Sequence, residues 1–98
     1  MSKKKVLFHP EAVTEARVTR KWYEERSPKA AEGFLRELDL AVEKIADSPK
    51  RWPIYIKGTR RYLFRRYPFF IVFREVENTI QVLAVAHGYR KPGYWKER

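Results

Sequence analysis

The chain has 98 residues, no cysteine and a formal net charge of +10, with 44% apolar and 35% charged residues. That length supports one domain, 1–98, with a core that needs no disulfide or metal staple, and the missing thiols exclude disulfide frameworks, cysteine nucleophiles and cysteine-ligated zinc. No apolar run reaches the roughly 18 residues that span a bilayer, and the opening MSKKKVLFHP has only Val6 to Phe8 as an apolar stretch, so a compact cytoplasmic protein without a membrane segment is expected.

Val6-Leu7-Phe8 reads as a short strand. His9-Pro10 stops it and starts a helix, because proline at the first helical position gives up an amide that would be unpaired anyway and Glu11 suits the positive end of the helix dipole. His9 is expected to serve that turn as a cap. The helix carries Ala12, Val13, Ala16, Trp22 and Tyr23 roughly on one stripe and ends at Ser27-Pro28. A second helix, Pro28 to Asp47, starts from Ser27 as N-cap and repeats Ala31, Phe34, Leu35, Leu38, Ala41, Val42 and Ile45 at steps of three and four. Ser48-Pro49 closes it, and Glu37 and Glu43 read as solvated charges of its outer face.

An irregular stretch with Trp52-Pro53 and Lys57-Gly58-Thr59 leads into three β-type runs: Arg60 to Arg66, stopped by Tyr67-Pro68; Phe69 to Glu75; and, after Glu77-Asn78-Thr79, Ile80 to His87. The fold class is α+β: an N-terminal strand and a two-helix hairpin packed on a small antiparallel sheet, with Val6 to Phe8 joining it at one side.

The charge is unevenly placed. Residues 1–49 carry ten Lys/Arg against nine Asp/Glu, whereas residues 50–98 carry twelve against three, and none of the three lies before Arg74. Such a one-sign surface draws phosphates or an acidic polypeptide. Lys57, Arg60, Arg61, Arg65, Arg66 and Arg74 are its candidates, arginine being suited to bidentate contact. On a strand, 61 and 65 would share one face and 60 and 66 the other. The alternative is an edge strand whose charges only block aggregation.

The ending AHGYRKPGYW holds the second candidate site. His87 could shuttle a proton, Arg90 bind phosphate and Tyr94 stack or donate, with Trp95 available to a partner. The competing expectation is structural, with His87 capping the strand and Tyr94-Trp95 packing the tail. No metal-ligand spacing, phosphate loop or nucleophile elbow is present, so no metal and no cofactor is expected.

With Arg60-Arg61, Tyr67-Pro68-Phe69, Val72-Phe73-Arg74, His87, Arg90 and Tyr94-Trp95 standing in order behind the helix hairpin, the chain from Val6 to Trp95 resembles the RelE/ParE toxins of type II toxin-antitoxin systems. The resemblance implies a plasmid-stabilisation or growth-inhibition toxin, in a hetero-oligomer with a cognate acidic antitoxin whose complex binds operator DNA. ParE-like members of that family poison DNA gyrase, whereas RelE-like members cut mRNA on the ribosome. Where RelE-like nucleases carry two further arginines this chain has Phe70 and Gly88, so the resemblance points to the ParE-like branch. The alternative it leaves is a metal-independent endoribonuclease using Arg65, His87, Arg90 and Tyr94.

Overall fold

The computed structural model describes residues 3–98. Strand β1 (Lys5–Phe8) leads into helix α1 (Pro10–Arg26) and helix α2 (Pro28–Asp47), followed by two short 3-10 turns and strands β2 (Arg60–Leu63), β3 (Phe69–Val76) and β4 (Thr79–His87). The helix ends follow from local chemistry. His9 Nδ1 accepts from the Glu11 amide at 3.1 Å ahead of Pro10. Ser27 closes one helix and opens the next: its amide donates to the Tyr23 carbonyl at 2.6 Å, and its hydroxyl accepts from the Ala30 amide at 3.2 Å. Pro28 forces that serine into extended backbone, which makes the sharp reversal between the helices.

The strand order is β1-β4-β3-β2. β2, β3 and β4 form the expected antiparallel meander, but β1 lies parallel to β4, pairing Val6 with Ile80 and Phe8 with Val82. The sheet is therefore mixed, because the helix hairpin returns the chain to the far side before β2 begins. In the β3–β4 ladder Val72 opposes Ala84 and Phe73 opposes Val82, which leaves Leu83 as the extra residue of a bulge. Among the described residues no helix is long and apolar enough to cross a membrane.

Each face of the sheet has its own core. On the helix side, Phe34, Leu38, Ala41 and Ile45 of α2 pack with Tyr62, Ile71, Phe73, Ile80 and Val82. Phe34 is the hub, with Phe69, Phe64, Tyr67 and Tyr23 rings at 5.5, 5.7, 5.8 and 5.9 Å. Burying a side chain of that size contributes about 1.5–3 kcal/mol before the aromatic contacts are added. On the other face, Phe70, Val72, Leu83, Ala84 and Ala86 are covered by Trp95, with Tyr55 and Tyr94 beside it. The bulge explains how consecutive residues Leu83 and Ala84 both serve this second core.

Two residues of the expected helix stripes remain largely outside the core. Leu35 and Trp22 are exposed, and Val18 joins Trp22 on an open face of α1. Gly33, by contrast, is required where it stands. The Tyr67 hydroxyl donates to the Ala30 carbonyl at 2.7 Å, and a methyl at Gly33 would run into that hydroxyl. Gly33→Ala should therefore destabilise the fold by about 1–3 kcal/mol although alanine is the better helix former. Chemical denaturation should also show that adding Tyr67→Phe recovers part of the loss, since the clash goes with the hydroxyl.

Candidate functional site

The functional candidates are organised by an interruption of the sheet. β1 ends where Pro10 begins α1, so beyond Val82 the edge of β4 that faces away from β3 has no strand beside it. Glu15 and Arg98 take that place. The Val85 amide donates to Glu15 Oε1 at 2.9 Å, and Arg98 Nη1 donates to the Leu83 carbonyl at 2.9 Å. The two side chains also pair with each other through two contacts of 3.0 Å, and the Tyr94 hydroxyl donates to Glu15 Oε2 at 2.7 Å. Both charges are nearly dry, the Arg98 side chain being 9% exposed and that of Glu15 15%. Every lone-pair direction of this carboxylate is used, which is what makes a buried ion pair tolerable.

Tyr94 is thereby fixed. Burial first, and then its hydrogen bond to Glu15, push its pKa far above the ordinary 10.0, with Arg90 and Arg98 pulling the other way. Arg90 lies over the Tyr94 ring at 4.0 Å. His87 Nδ1 accepts from the Tyr89 amide at 3.1 Å, and its ring sits edge-on to Phe69 at 5.0 Å. His87 thus holds the turn that leaves β4, as the structural alternative expects, while also lining a groove of about 610 Å³ between α1 and the end of the sheet. Glu15, Val18, Trp22, Phe69 and Arg90 line it too.

Of the four residues of the nuclease alternative, the groove brings together His87 and Arg90. Tyr94 stands behind Arg90 with its hydroxyl turned to Glu15, and Arg65 lies elsewhere, on the bend after β2. The expectation that Arg65 and Arg66 extend a basic strand is corrected, since β2 ends at Leu63. Their amides donate instead to the Glu37 carboxylate, so Glu37 is a structural acceptor holding the bend rather than a solvated charge. Their side chains project from that bend and are exposed.

Arg60 is turned inward: Nη1 donates to the Trp52 carbonyl at 2.6 Å, fastening the preceding loop to the edge of β2. Arg61 lies over the Tyr55 ring at 4.3 Å and the Phe70 ring at 5.3 Å. Arg74 Nε donates to Gln81 Oε1 at 2.8 Å on the neighbouring strand, and Lys57 stands exposed at a turn with φ 58. Among the described residues none of Lys57, Arg61, Arg65, Arg66, Arg74 or Arg90 has a carboxylate within 4.0 Å, whereas Lys3, Lys4, Arg20, Arg26 and Arg98 all do.

Trp95 is a second correction. It is 1% exposed, stacked on Tyr55 at 5.5 Å, and so belongs to the core under the tail rather than to a partner surface. The residue that sequence reasoning missed is Glu15. Its partners lie about seventy and more positions away, at Val85, Tyr94 and Arg98, and nothing in its local sequence sets it apart from the other glutamates of α1. Phe70, at a position where the resemblance places an arginine in nucleases, is buried under Arg61 and Trp95. Gly88, at the other such position, donates its amide to the Pro68 carbonyl at 2.8 Å.

Residues 6–92 match the model of the ParE toxin of the type II toxin-antitoxin system parDE. The chain belongs to that family of toxins. No curated protein sequence matches it significantly. Its fold is similar to a chain of the chromosomal ParDE toxin-antitoxin system from P. aeruginosa, at 18% identity and TM-score 0.76, covering 87% of this chain and 96% of that one. It is also similar to E. coli RelE, solved free as a mutant with two arginines replaced by alanine, at 13% identity and TM-score 0.62 over 90% of this chain and 86% of that one. The RelBE2 toxin-antitoxin complex from Mycobacterium tuberculosis supplies a third likeness, with 18% identity, TM-score 0.58 and coverage of 88% and 99%.

The contacts of Glu15 with Arg98, Tyr94 and the Val85 amide have two measurable consequences. Glu15→Ala strands the Arg98 charge and the Val85 amide and should cost roughly 3–5 kcal/mol of stability, seen as a large fall in the thermal midpoint. For Tyr94 the sign is set by its raised pKa: the unfolded chain releases the phenol proton near 10.0 while the folded chain keeps it. The fold is therefore at full strength below that pH and weakens as pH rises above it. Tyr94→Phe should lose about 1 kcal/mol at neutral pH from the missing hydrogen bond, yet show a shallower alkaline loss in denaturation midpoints. Tyr23 and Tyr62, whose pKa values burial also raises, should keep that loss from vanishing.

Proposed function

We propose that this chain is the toxin of a two-protein system, inhibiting DNA gyrase when free and held inactive by a cognate acidic antitoxin, the pair binding operator DNA together. What carries the reading is membership of the ParE family combined with a set of cations that the fold leaves without carboxylates. Lys57, Arg61, Arg65, Arg66 and Arg90 form no ion pair among the described residues, although the first half of the chain supplies nine acids. Self-repulsion among such charges is relieved by an acidic partner, which is also steered onto them over several ångströms. Association of the two proteins in the cytoplasm follows from this reading.

The state of Tyr94 argues against hydrolytic chemistry as the main activity. A phenol that keeps its proton in a hydrogen bond to a buried carboxylate, and whose ionisation is pushed far upward, is a poor base, and its O–H already has an acceptor. The endoribonuclease alternative keeps one supporting observation, the convergence of His87 and Arg90 on one groove. Expression of the chain alone separates the two. Filamentation with DNA damage, and loss of gyrase supercoiling by the purified protein, is the expected outcome. Cleavage of ribosome-bound mRNA with supercoiling unaffected would transfer the assignment to the nuclease reading, in which case Ala at His87 and Arg90 should abolish toxicity.

A further inference from the structure

The turn that leaves β4 carries two donors that the fold does not use. The Tyr89 amide donates to His87 Nδ1 at 3.1 Å and the Arg90 amide to the His87 carbonyl at 3.0 Å, which closes residues 87–90 into one tight unit. Because Nδ1 is the acceptor, the proton of a neutral His87 ring sits on Nε2, and charging the ring leaves Nε2 a donor as well. That N–H meets no acceptor among the described residues. Arg90 is equally free: its guanidinium lies 4.0 Å over the Tyr94 ring and pairs with no carboxylate. Both residues line the groove of about 610 Å³ between α1 and the end of the sheet.

The walls of that groove are mainly apolar and held in place. Val18 and Trp22, 62% and 49% exposed, form one wall. Arg26 lies over the Trp22 ring at 3.8 Å while donating to the Trp22 carbonyl at 2.9 Å, and the Tyr23 ring meets it edge-on at 5.1 Å. Pro68 and Phe69 form the other wall, tied to the turn by the Gly88 amide, which donates to the Pro68 carbonyl at 2.8 Å, and by the edge-on contact of Phe69 with His87 at 5.0 Å. Glu15 is the one carboxylate of the lining, and it is already occupied by four donors.

We propose that this groove binds a small organic anion: a ring-bearing acid whose carboxylate or sulfonate accepts from His87 Nε2 and Arg90, and whose apolar body lies between Trp22 and Phe69. The inference holds whichever target the chain acts on. The volume falls in the roughly 300–1,000 Å³ range of small-molecule pockets, and so does the make-up, apolar walls with a few convergent polar groups. The sign of the ligand follows from the donors, since both polar groups give hydrogen bonds and the guanidinium cannot lose its proton. Arg90 rests on a ring whose hydroxyl is itself anchored to Glu15 at 2.7 Å, so it loses little freedom when an anion arrives. An apolar body is favoured over a nucleobase because the walls leave a base edge few partners: Val18, Pro68 and Phe69 have no polar side-chain atom, and the Thr14 hydroxyl donates to the Pro10 carbonyl at 3.2 Å.

The probes are a naphthalene sulfonate, its uncharged naphthyl methanol counterpart, inorganic sulfate and adenosine monophosphate, each titrated onto the full-length isotope-labelled chain with backbone amide shifts recorded. The sulfonate should bind at least about tenfold more tightly than any of the other three, and should move the amides of Val18, Trp22, Tyr89 and Arg90 rather than those of Lys57 and Arg66. Arg90→Ala and His87→Asn should each weaken the sulfonate about tenfold and leave the alcohol unchanged, because each removes a donor and no wall. In the second variant the amide oxygen stands in for Nδ1 toward the Tyr89 amide. Trp22→Ala should weaken sulfonate and alcohol alike. Arg90 is exposed, so its variant should keep the wild-type thermal midpoint and decides the matter if His87→Asn loosens the turn.

Equal affinity for the sulfonate and the alcohol, or undiminished sulfonate binding by Arg90→Ala, would overturn the site. Tighter binding of adenosine monophosphate would do the same by handing the groove to nucleotides. Shifts centred on Lys57 and Arg66 would reduce the effect to general attraction by a chain of net charge +10 and end the proposal.

Discussion

The pairing of Glu15 with Arg98 is the constraint on which much of the molecule turns. A four-stranded sheet whose first strand is only four residues long leaves the longest strand, β4, paired with β3 alone over its second half, its other edge bare. Backbone groups bared in this way must find partners or stay in water. Here one carboxylate and one guanidinium replace a missing strand, and in doing so tie three parts of the chain: α1, the bulged middle of β4 and the tail. The cost of drying two charges is offset because each also satisfies backbone that would otherwise be orphaned.

From that pairing the second core follows. With Arg98 and Tyr94 anchored to α1, Trp95 is drawn under the tail onto Phe70 and Leu83, and Tyr55 closes over it from the loop before β2. Arg61 then covers Tyr55 and Phe70 from outside. The middle of the sheet, Phe70 to Phe73 and Val82 to Ala86, is thus dry on both faces, by helices on one and by aromatic rings, a tail and one guanidinium on the other. That arrangement accounts for β-strands that are apolar at consecutive positions, Phe69 to Phe73 and Val82 to Ala86, where a half-exposed sheet would alternate.

How far the sequence speaks depends on the range of the interaction. Pro10, Ser27-Pro28 and Ser48-Pro49 mark helix ends because proline and serine act on their immediate neighbours, and the structure ends its helices there. The meander is legible for the same reason, its turns being local. The parallel partner of β1 is not, since the residues of that pair are about seventy positions apart and nothing local distinguishes the two directions. Periodicity identified Trp22 as apolar but could not say whether anything covers it. Trp95 illustrates the reverse case, an aromatic in a basic, glycine-containing tail that the sequence leaves open between partner contact and tail packing, and that the anchoring of Tyr94 and Arg98 turns inward. Among the arginines, composition revealed an excess but not a division of labour: Arg60 and Arg98 bind carbonyls, Arg61 and Arg90 lie on rings, and the side chains of Arg65 and Arg66 stand exposed on their bend.

The three tryptophans occupy three different environments: Trp22 half open on the groove, Trp52 against Tyr62 beside the loop that Arg60 fastens, and Trp95 sealed beneath the tail. Indole emission depends on local polarity, so the molecule carries its own set of optical reporters. Covering of the groove shifts the light from one ring, and release of the tail shifts the light from another. Events at the two ends of the Glu15–Arg98 pairing can therefore be followed separately in the unlabelled protein.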